Sequence, residues 1–422
     1  MNHGKRLGQN SLWLVGARIG AQVLALFTIL LARKLGNVGF GEYTFFTTVV
    51  FIGNILTTCG TDMFFIREIA AHGNLRQLPA ALWIQLFLSG LWIAATMLGA
   101  SALPNQSPAA ITAHQIYSLA LIPMAFYTVF STALRGMQHM GLYAVLNLVG
   151  AFLQVIVVLV FVTIGNSLIT LAILLLAAHV IAACIAGLFC TIQITGFWHE
   201  WRFSILDIRN ATIASAPLAV IGMLGMFYQK LGVVLLSTLS GAALTGLFSA
   251  SLKVVDASKA IHTAAFTAVF PVMSEAHTNP EGGAVQAVRA SWKVLLAGAV
   301  ANAFGLWLFA PLLVDLLYGD GFAASIPILR ILAWLLVPYS LNTFLTLAFV
   351  ASHQARAAGL ALTATLLGLG FLSLWWIPTH GLEGAAWAAL IAECLQTILL
   401  LVQFPQVQDW LLSFTTNLKK VR

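Results

Sequence analysis

The apolar runs in this chain are continuous and about 20 or more residues long, the length an α-helix needs to cross the roughly 30 Å hydrocarbon core of a bilayer. A backbone in lipid must satisfy its own hydrogen bonds. Helices do so within one segment, and runs of this length exceed what a tilted barrel strand needs. Sixty percent of the residues are hydrophobic and 8% are charged, against roughly a quarter charged in soluble domains. The fold class expected is an all-α polytopic membrane protein. Its spans are read near 11–32, 42–66, 80–102, 112–134, 141–164 and 167–193, then 210–238, 242–271, 294–317, 323–350, 357–378 and 383–404, about twelve helices with six in each half. Residues 1–10 are polar and the apolar run after them is too long for a cleavable h-region, so the first helix is expected to be kept.

An internal repeat points to two similar halves. Residues 30–50, LLARKLGNVGFGEYTFFTTVV, return 205 positions later as LLSTLSGAALTGLFSASLKVV at 235–255, with Leu30, Leu31, Gly36, Gly41, Val49 and Val50 on identical residues and Tyr43 on Phe248. Each copy reads as the end of an apolar helix, a turn with two glycines five apart, and the start of a helix rich in Thr or Ser. The organisation expected is an amino-terminal six-helix lobe at 1–193, a cytoplasmic interfacial linker at 194–209 and a carboxy-terminal six-helix lobe at 210–422. The linker sequence ITGFWHEWRFSILDI mixes Trp198, Trp201 and Phe203 with His199, Glu200 and Arg202, a mixture suited to the headgroup zone either as a helix or as an anchored loop.

Orientation follows from Lys and Arg. With the amino terminus inside, the cytoplasmic segments hold thirteen of the 20: Lys5, Arg6, Arg67, Arg76, Arg135, Arg202, Arg209, Arg289, Lys293, Arg356, Lys419, Lys420 and Arg422. The outer loops hold Arg33 and Lys34. This asymmetry predicts an even number of spans with both termini cytoplasmic, and it accounts for most of the +7 net charge without a nucleic-acid partner. The four cysteines fall within spans and lack metal-ligand spacing, so no disulfide, metal or cofactor is expected.

The remaining five cations, Arg18, Lys230, Lys253, Lys259 and Arg330, fall within predicted helices, where each costs roughly 2.5–3.5 kcal/mol on the lenient insertion scale. Arg330 is near enough to a helix end to snorkel. On the first helix, Ser11, Arg18 and Gln22 share one face. On the second, Thr47, Asn54, Thr58 and Thr61 repeat at helical spacing with Asp62 adjoining, and on the eighth so do Thr245, Ser249, Lys253 and Asp256, with Lys259 three further on. The repeat places Lys259 on Asn54. Both lobes are therefore expected to offer a polar stripe to a shared interior, and Asp256 to neutralise one of its two lysine neighbours. Small hydroxyl residues alone would fit helix packing, but that reading leaves the charges unexplained.

Two helical halves facing a cationic cavity is the plan of a secondary transporter working by alternating access on an anionic, phosphate-bearing cargo. Glycines 16 and 20 on the first helix, and Pro217, Gly222 and Gly225 on the seventh, mark places where equivalent helices could bend. No Walker loop is present, so energy would come from an ion gradient or from the cargo's own gradient. Asp62, Asp256 and Glu393 are the candidates for proton or sodium coupling. A drug antiporter should be dominated by carboxylates in its cavity. A membrane enzyme would need large polar loops or clustered catalytic groups, and a protein without transport has little use for five embedded cations.

Residues 30–70, LLARKLGNVGFGEYTFFTTVVFIGNILTTCGTDMFFIREIA, resemble the amino-terminal signature of bacterial polysaccharide exporters and O-antigen flippases of the multidrug/oligosaccharidyl-lipid/polysaccharide (MOP) superfamily. LRGMQHMGLYA at 134–144, VFPVMSE at 269–275, LLYGDGFAASIPILRIL at 316–332 and HGLEGAAWAALIAE at 380–393 are similar to patches at matching places in that family. The resemblance implies a MATE-like two-lobe fold. It also implies a non-enzymatic inner-membrane flippase that moves an undecaprenyl-diphosphate-linked oligosaccharide from the cytoplasmic to the outer leaflet for O-antigen or another surface polysaccharide, in contact with polysaccharide assembly enzymes. Family members are thought to bind the diphosphate with Arg and Lys in a cavity between the lobes. Arg18 matches that cationic position on the first helix, and Lys253 and Lys259 match the cavity-facing eighth helix less strictly. The chain ends after the twelfth span with KKVR, so the fourteen-helix peptidoglycan-precursor flippases are the less expected relatives.

Overall fold

The computed structural model describes residues 20, 27–102, 104–198, 201, 204–278, 283–351 and 354–403 of the 422-residue chain. Its helices are α1 (Thr28–Thr58), α2 (Thr61–His72), α3 (Leu78–Gly99), α4 (Pro108–Ser118), α5 (Leu121–Gly136), α6 (Met140–Ile164), α7 (Leu168–Gln193), α8 (Ile205–Ser240), α9 (Ala242–Thr278), α10 (Gly283–Tyr318), α11 (Ser325–Trp334), α12 (Leu336–Ala351) and α13 (Ala355–Val402). No strand occurs among the described residues. Among the described residues, eight segments are long and apolar enough to cross a membrane, or nine when α1 and α2, bent by 43°, count as one broken span. The 47-residue segment in α13 contains two of the expected crossings, because Gly381 (φ 54°, ψ −121°) interrupts it three residues after Pro378. Helix α9 is not among the eight, and it carries Lys253, Asp256 and Lys259 within two turns. The chain is a multi-pass membrane protein. The first expected span, 11–32, lies largely outside the described residues.

Two compact units divide the chain, Met1–Gly246 and Leu247–Arg422. The first therefore includes α8 beyond the linker at which the sequence suggests a lobe boundary, because α8 packs along α1, α2 and α3. Its interior has two apolar clusters. One centres on Phe65, Ile69, Leu75, Phe130, Leu134 and Phe197, the other on Phe46, Val50, Tyr117, Phe161 and Leu171. Of the linker's described residues, 194–198 form a turn and 205–209 are the first residues of α8. Phe197, Trp198 and Trp201 gather against Phe130 of α5 there, and the Trp198 indole donates to Thr191 Oγ1 at 3.0 Å.

The sequence repeat has a direct structural reason within the first unit. Gly36 (φ 67°, ψ −179°) and Gly241 (φ 86°, ψ 176°) hold the same backbone conformation, one that residues other than glycine essentially do not adopt. One turn on, Gly41 and Gly246 meet. A Cβ on Gly41 would overlap the Ala242 carbonyl and lie 2.8 Å from the Gly246 amide. A Cβ on Gly246 would overlap the Asn37 carbonyl and lie 3.0 Å from the Gly41 amide. Asn37 and Ala242 are themselves 205 apart, so the contact is reciprocal, as in an isologous interface. Nearby, Asn105 donates to the Thr238 carbonyl at 2.9 Å, Gln106 to Ser237 at 3.1 Å, and the Ser107 amide to the buried Glu42 carboxylate at 3.3 Å.

The second unit is pinned at the start of α9. Tyr318 donates to the Ala250 carbonyl at 3.1 Å, Ser251 to the Ser325 carbonyl at 3.1 Å, and Ser325 to the Leu247 carbonyl at 2.9 Å. Tyr318, Phe322 and Ser325 all belong to the LLYGDGFAASIPILRIL patch and are buried, so that patch is a clasp. Phe266, Phe344, Leu345, Phe349 and Leu400 form its apolar cluster.

Replacing Gly36 or Gly241 by alanine is expected to cost about 1–3 kcal/mol, seen as a lower thermal midpoint of the detergent-solubilised protein. Gly90→Ala, mid-helix with open space around it, is expected to leave that midpoint unchanged or raise it.

Candidate functional site

In the second unit a single turn of α12 collects polar contacts from α9 and α13, and α9 extends them to α10. Tyr339 receives the Lys259 ammonium over its ring, 5.1 Å from the centroid, and its hydroxyl is 2.9 Å from Thr263 Oγ1 of α9. Lys259 also sits 3.6 Å from Asp256, one turn away. Ser340 Oγ lies 3.3 Å from Nδ1 of His262, whose Nε2 is 3.2 Å from the Asn302 amide of α10. Asn342 donates to both the carbonyl (3.0 Å) and the carboxylate (2.7 Å) of Glu393 on α13, while Thr397 donates to Asn342 Oδ1 at 2.8 Å. Glu393 is 4% exposed, and the Asn342 amide is one of the contacts that make a carboxylate tolerable there. Lys253 lies half-buried one turn before Asp256 on α9.

These contacts bring together three of the expected site residues, Asp256, Lys259 and, on the far side of α12, Glu393. They do not bring Arg330 to them. Its guanidinium rests 5.4 Å from the ring centroid of Trp307 on α10, with a buried Nε that has no hydrogen-bond partner. A cation over an indole face is stabilised by the ring quadrupole, by about 2 kcal/mol or more when desolvated, which offsets much of its insertion cost.

In the first unit, Lys230 of α8 lies 5.8 Å from the ring of Phe51 on α1. Asn54 is half-buried on α1, its carbonyl taken by the hydroxyls of Thr57 (3.1 Å) and Thr58 (2.7 Å). Asp62, in the first turn of α2, faces Arg135 at 4.0 Å, and Arg135 in turn lies over Tyr143 at 5.1 Å. Both partners of that ion pair are about a quarter exposed, so it is a weak one. Arg18 and Gln22 lie outside the described residues.

His262, Asn302, Tyr339, Ser340 and Asn342 were not singled out from sequence. The signal was present as the polar group YSLNT at 339–343 inside an otherwise apolar span. Weighing charges alone passes over it. Exchanging Asn342 for leucine is expected to destabilise the protein by about 1–3 kcal/mol by removing the donor to buried Glu393. The double change Asn342→Leu with Glu393→Gln should recover part of that loss, as read from thermal midpoints of the four variants.

Residues 7–277 match the family model described as polysaccharide biosynthesis protein. No protein of curated function matches at a significant level. Among solved structures, the lipid II flippase MurJ in an inward closed conformation aligns with a TM-score of 0.75 and 13% identity over 96% of this chain and 89% of that one. An inward-facing multidrug resistance MATE family transporter of the MOP superfamily aligns with a TM-score of 0.71 and 15% identity over 96% and 99%. A MOP superfamily transporter from Pyrococcus furiosus gives 0.66 and 15% over 95% and 96%. The fold is that of the MOP superfamily, and the chain belongs to the polysaccharide biosynthesis protein family.

Proposed function

We propose that this member of the polysaccharide biosynthesis family is a flippase. It moves an undecaprenyl-diphosphate-linked oligosaccharide from the cytoplasmic to the outer leaflet of the bacterial inner membrane by alternating access, for O-antigen or another surface polysaccharide. The observation that carries the reading is the set of cations inside apolar helices, Arg18, Lys230, Lys253, Lys259 and Arg330. Each is costly in lipid, and a diphosphate is the cargo whose charge compensates several at once. Arg18 would hold it bidentately, with Lys230, Lys253 and Lys259 as point charges. Gln22 and Asn54 would donate to the remaining oxygens. The polyprenyl tail stays in lipid while the sugar crosses. Family membership and the fold shared with a lipid II flippase support this reading.

Coupling to protons or sodium is assigned to Asp62, Asp256 and Glu393. Of these, Glu393 is the buried one, and Asp256 already shares Lys259. Lys259 therefore has part of its charge moderated by the protein itself. Arg330, held over Trp307, is the member of the set whose removal should matter least to transport. Both termini would lie in the cytoplasm, where polysaccharide assembly enzymes would deliver the loaded lipid.

The test is movement of a fluorescent short-sugar undecaprenyl diphosphate across proteoliposomes. The unmodified protein is expected to move it, and Arg18→Ala and Lys253→Ala each to slow it at least about tenfold, the loss of one charge-assisted contact of about 1.5–3 kcal/mol, with the fold retained. Full rates in both variants would remove the cationic site from the mechanism. No lipid movement together with gradient-driven efflux of a cationic dye would assign the fold to drug export instead.

A further inference from the structure

The second membrane span is not one helix. Its chain breaks at Cys59 (φ 49°) and Gly60 (φ 67°), two consecutive left-handed residues between α1 and α2. The break is held from outside by α8, since a Cβ on Gly60 would lie 2.5 Å from the Ala219 amide and 2.8 Å from the Ser215 carbonyl. A broken helix exposes the carbonyl end of its first half, the negative pole of the helix dipole. Of the last four carbonyls of α1, Ile55 accepts from the Cys59 amide and Thr58 from the Thr61 hydroxyl. Those of Leu56 and Thr57 receive no backbone bond across the break among the described residues.

Three buried oxygens without partners lie on helices α3 and α5, which pack against α1 and α2. Gln85 of α3 is 1% exposed and spends its amide N–H on Thr61 Oγ1 at 2.9 Å. Thr61 Oγ1 donates in turn to the Thr58 carbonyl at 2.7 Å, which fixes the orientation of the Gln85 amide and leaves its Oε1 without a donor. One helical turn along α3, about 6 Å, Ser89 is 0% exposed and its hydroxyl is unpartnered. Thr132 of α5 is 1% exposed and equally unpartnered. It lies one turn before Gly136, which packs on Ile69 of α2, and so shares the face of α5 turned to α2. Elsewhere in these helices hydroxyls bond back to the preceding turn, as in Thr47, Thr57, Thr58, Thr96 and Ser131, so Ser89 and Thr132 are exceptions. Native interiors rarely leave such atoms unsatisfied.

We infer that the break between α1 and α2 is a binding site for a small monovalent cation of the sodium class. Gln85 Oε1, the hydroxyls of Ser89 and Thr132 and the open carbonyls at the end of α1 are its ligands. All are neutral hard oxygens, the donor set that suits an alkali cation. The C-terminal pole of α1 adds the negative potential that the uncharged ligands lack. Further along α3, the Trp92 indole N–H packs over Gly53 as a donor without an acceptor. A donor cannot ligate a cation, so Trp92 ends the site on that side. Asp62, about a quarter exposed and paired with Arg135, follows Thr61 in the chain.

The experiment is thermal unfolding of the purified full-length protein in detergent, with sodium, lithium or potassium chloride titrated against choline chloride at constant ionic strength. It needs no transport, so its outcome is separate from that of the flippase assay. A saturable rise in midpoint on the order of 2–5 °C for one alkali cation over choline is expected. Gln85→Leu should abolish the rise, and Ser89→Ala should move its half-saturating concentration upward at least about threefold. Ser89→Ala serves alone should Gln85→Leu not fold. The same midpoint in all four salts, or an unaltered rise in the foldable variants, would overturn the site and leave ordered water only at these oxygens.

Discussion

Every peptide group that enters lipid must find its partner within the protein, and the rest of this structure depends on how that requirement is met wherever a helix stops. Several of the span interruptions among the described residues sit beside packed protein. Gly36 and Gly241 turn beside the crossing of Gly41 and Gly246. Cys59 and Gly60 turn against α8, and Gly319 turns inside the clasp of Tyr318, Phe322 and Ser325. Where backbone could not be left open, side chains were recruited, so the polar residues of the membrane interior cluster at the breaks.

The same requirement explains the second unit's polar seam. Lys259, His262 and Glu393 are each costly in an apolar interior, and one turn of α12 meets all three, through Tyr339, Ser340 and Asn342. His262 carries the contacts on to Asn302 of α10. A change at α12 is therefore felt directly on α9 and α13, and on α10 through His262.

Much of the fold was legible in the sequence because length and hydropathy decide it. The spans at 80–102, 141–164 and 167–193 correspond closely to α3, α6 and α7. The repeat was also legible, down to the glycines, since a conformation reserved for glycine leaves its mark in the composition of both copies. The break at Cys59 was not. A left-handed cysteine has no sequence signature, and Thr58 and Thr61 read as a polar stripe along one continuous helix until Gln85, 24 positions away, is seen bonded to Thr61 across the break. Charge marked Lys259 and Glu393, but their uncharged partners Tyr339 and Asn342 are identified by proximity in space, which no spacing along the chain encodes.

The reciprocal crossing of the two repeats constrains how the chain can change over time. Asn37 stands against Gly246 and Ala242 against Gly41, backbone to backbone. No neighbouring side chain can shrink to admit a larger residue at either glycine, because the space is occupied by main chain that every sequence possesses. The two copies can diverge freely along most of their length, as LLARKLG and LLSTLSG already have. At this crossing they are locked to one another, and a duplication that has lost most of its sequence symmetry keeps a permanent record of it in four glycines.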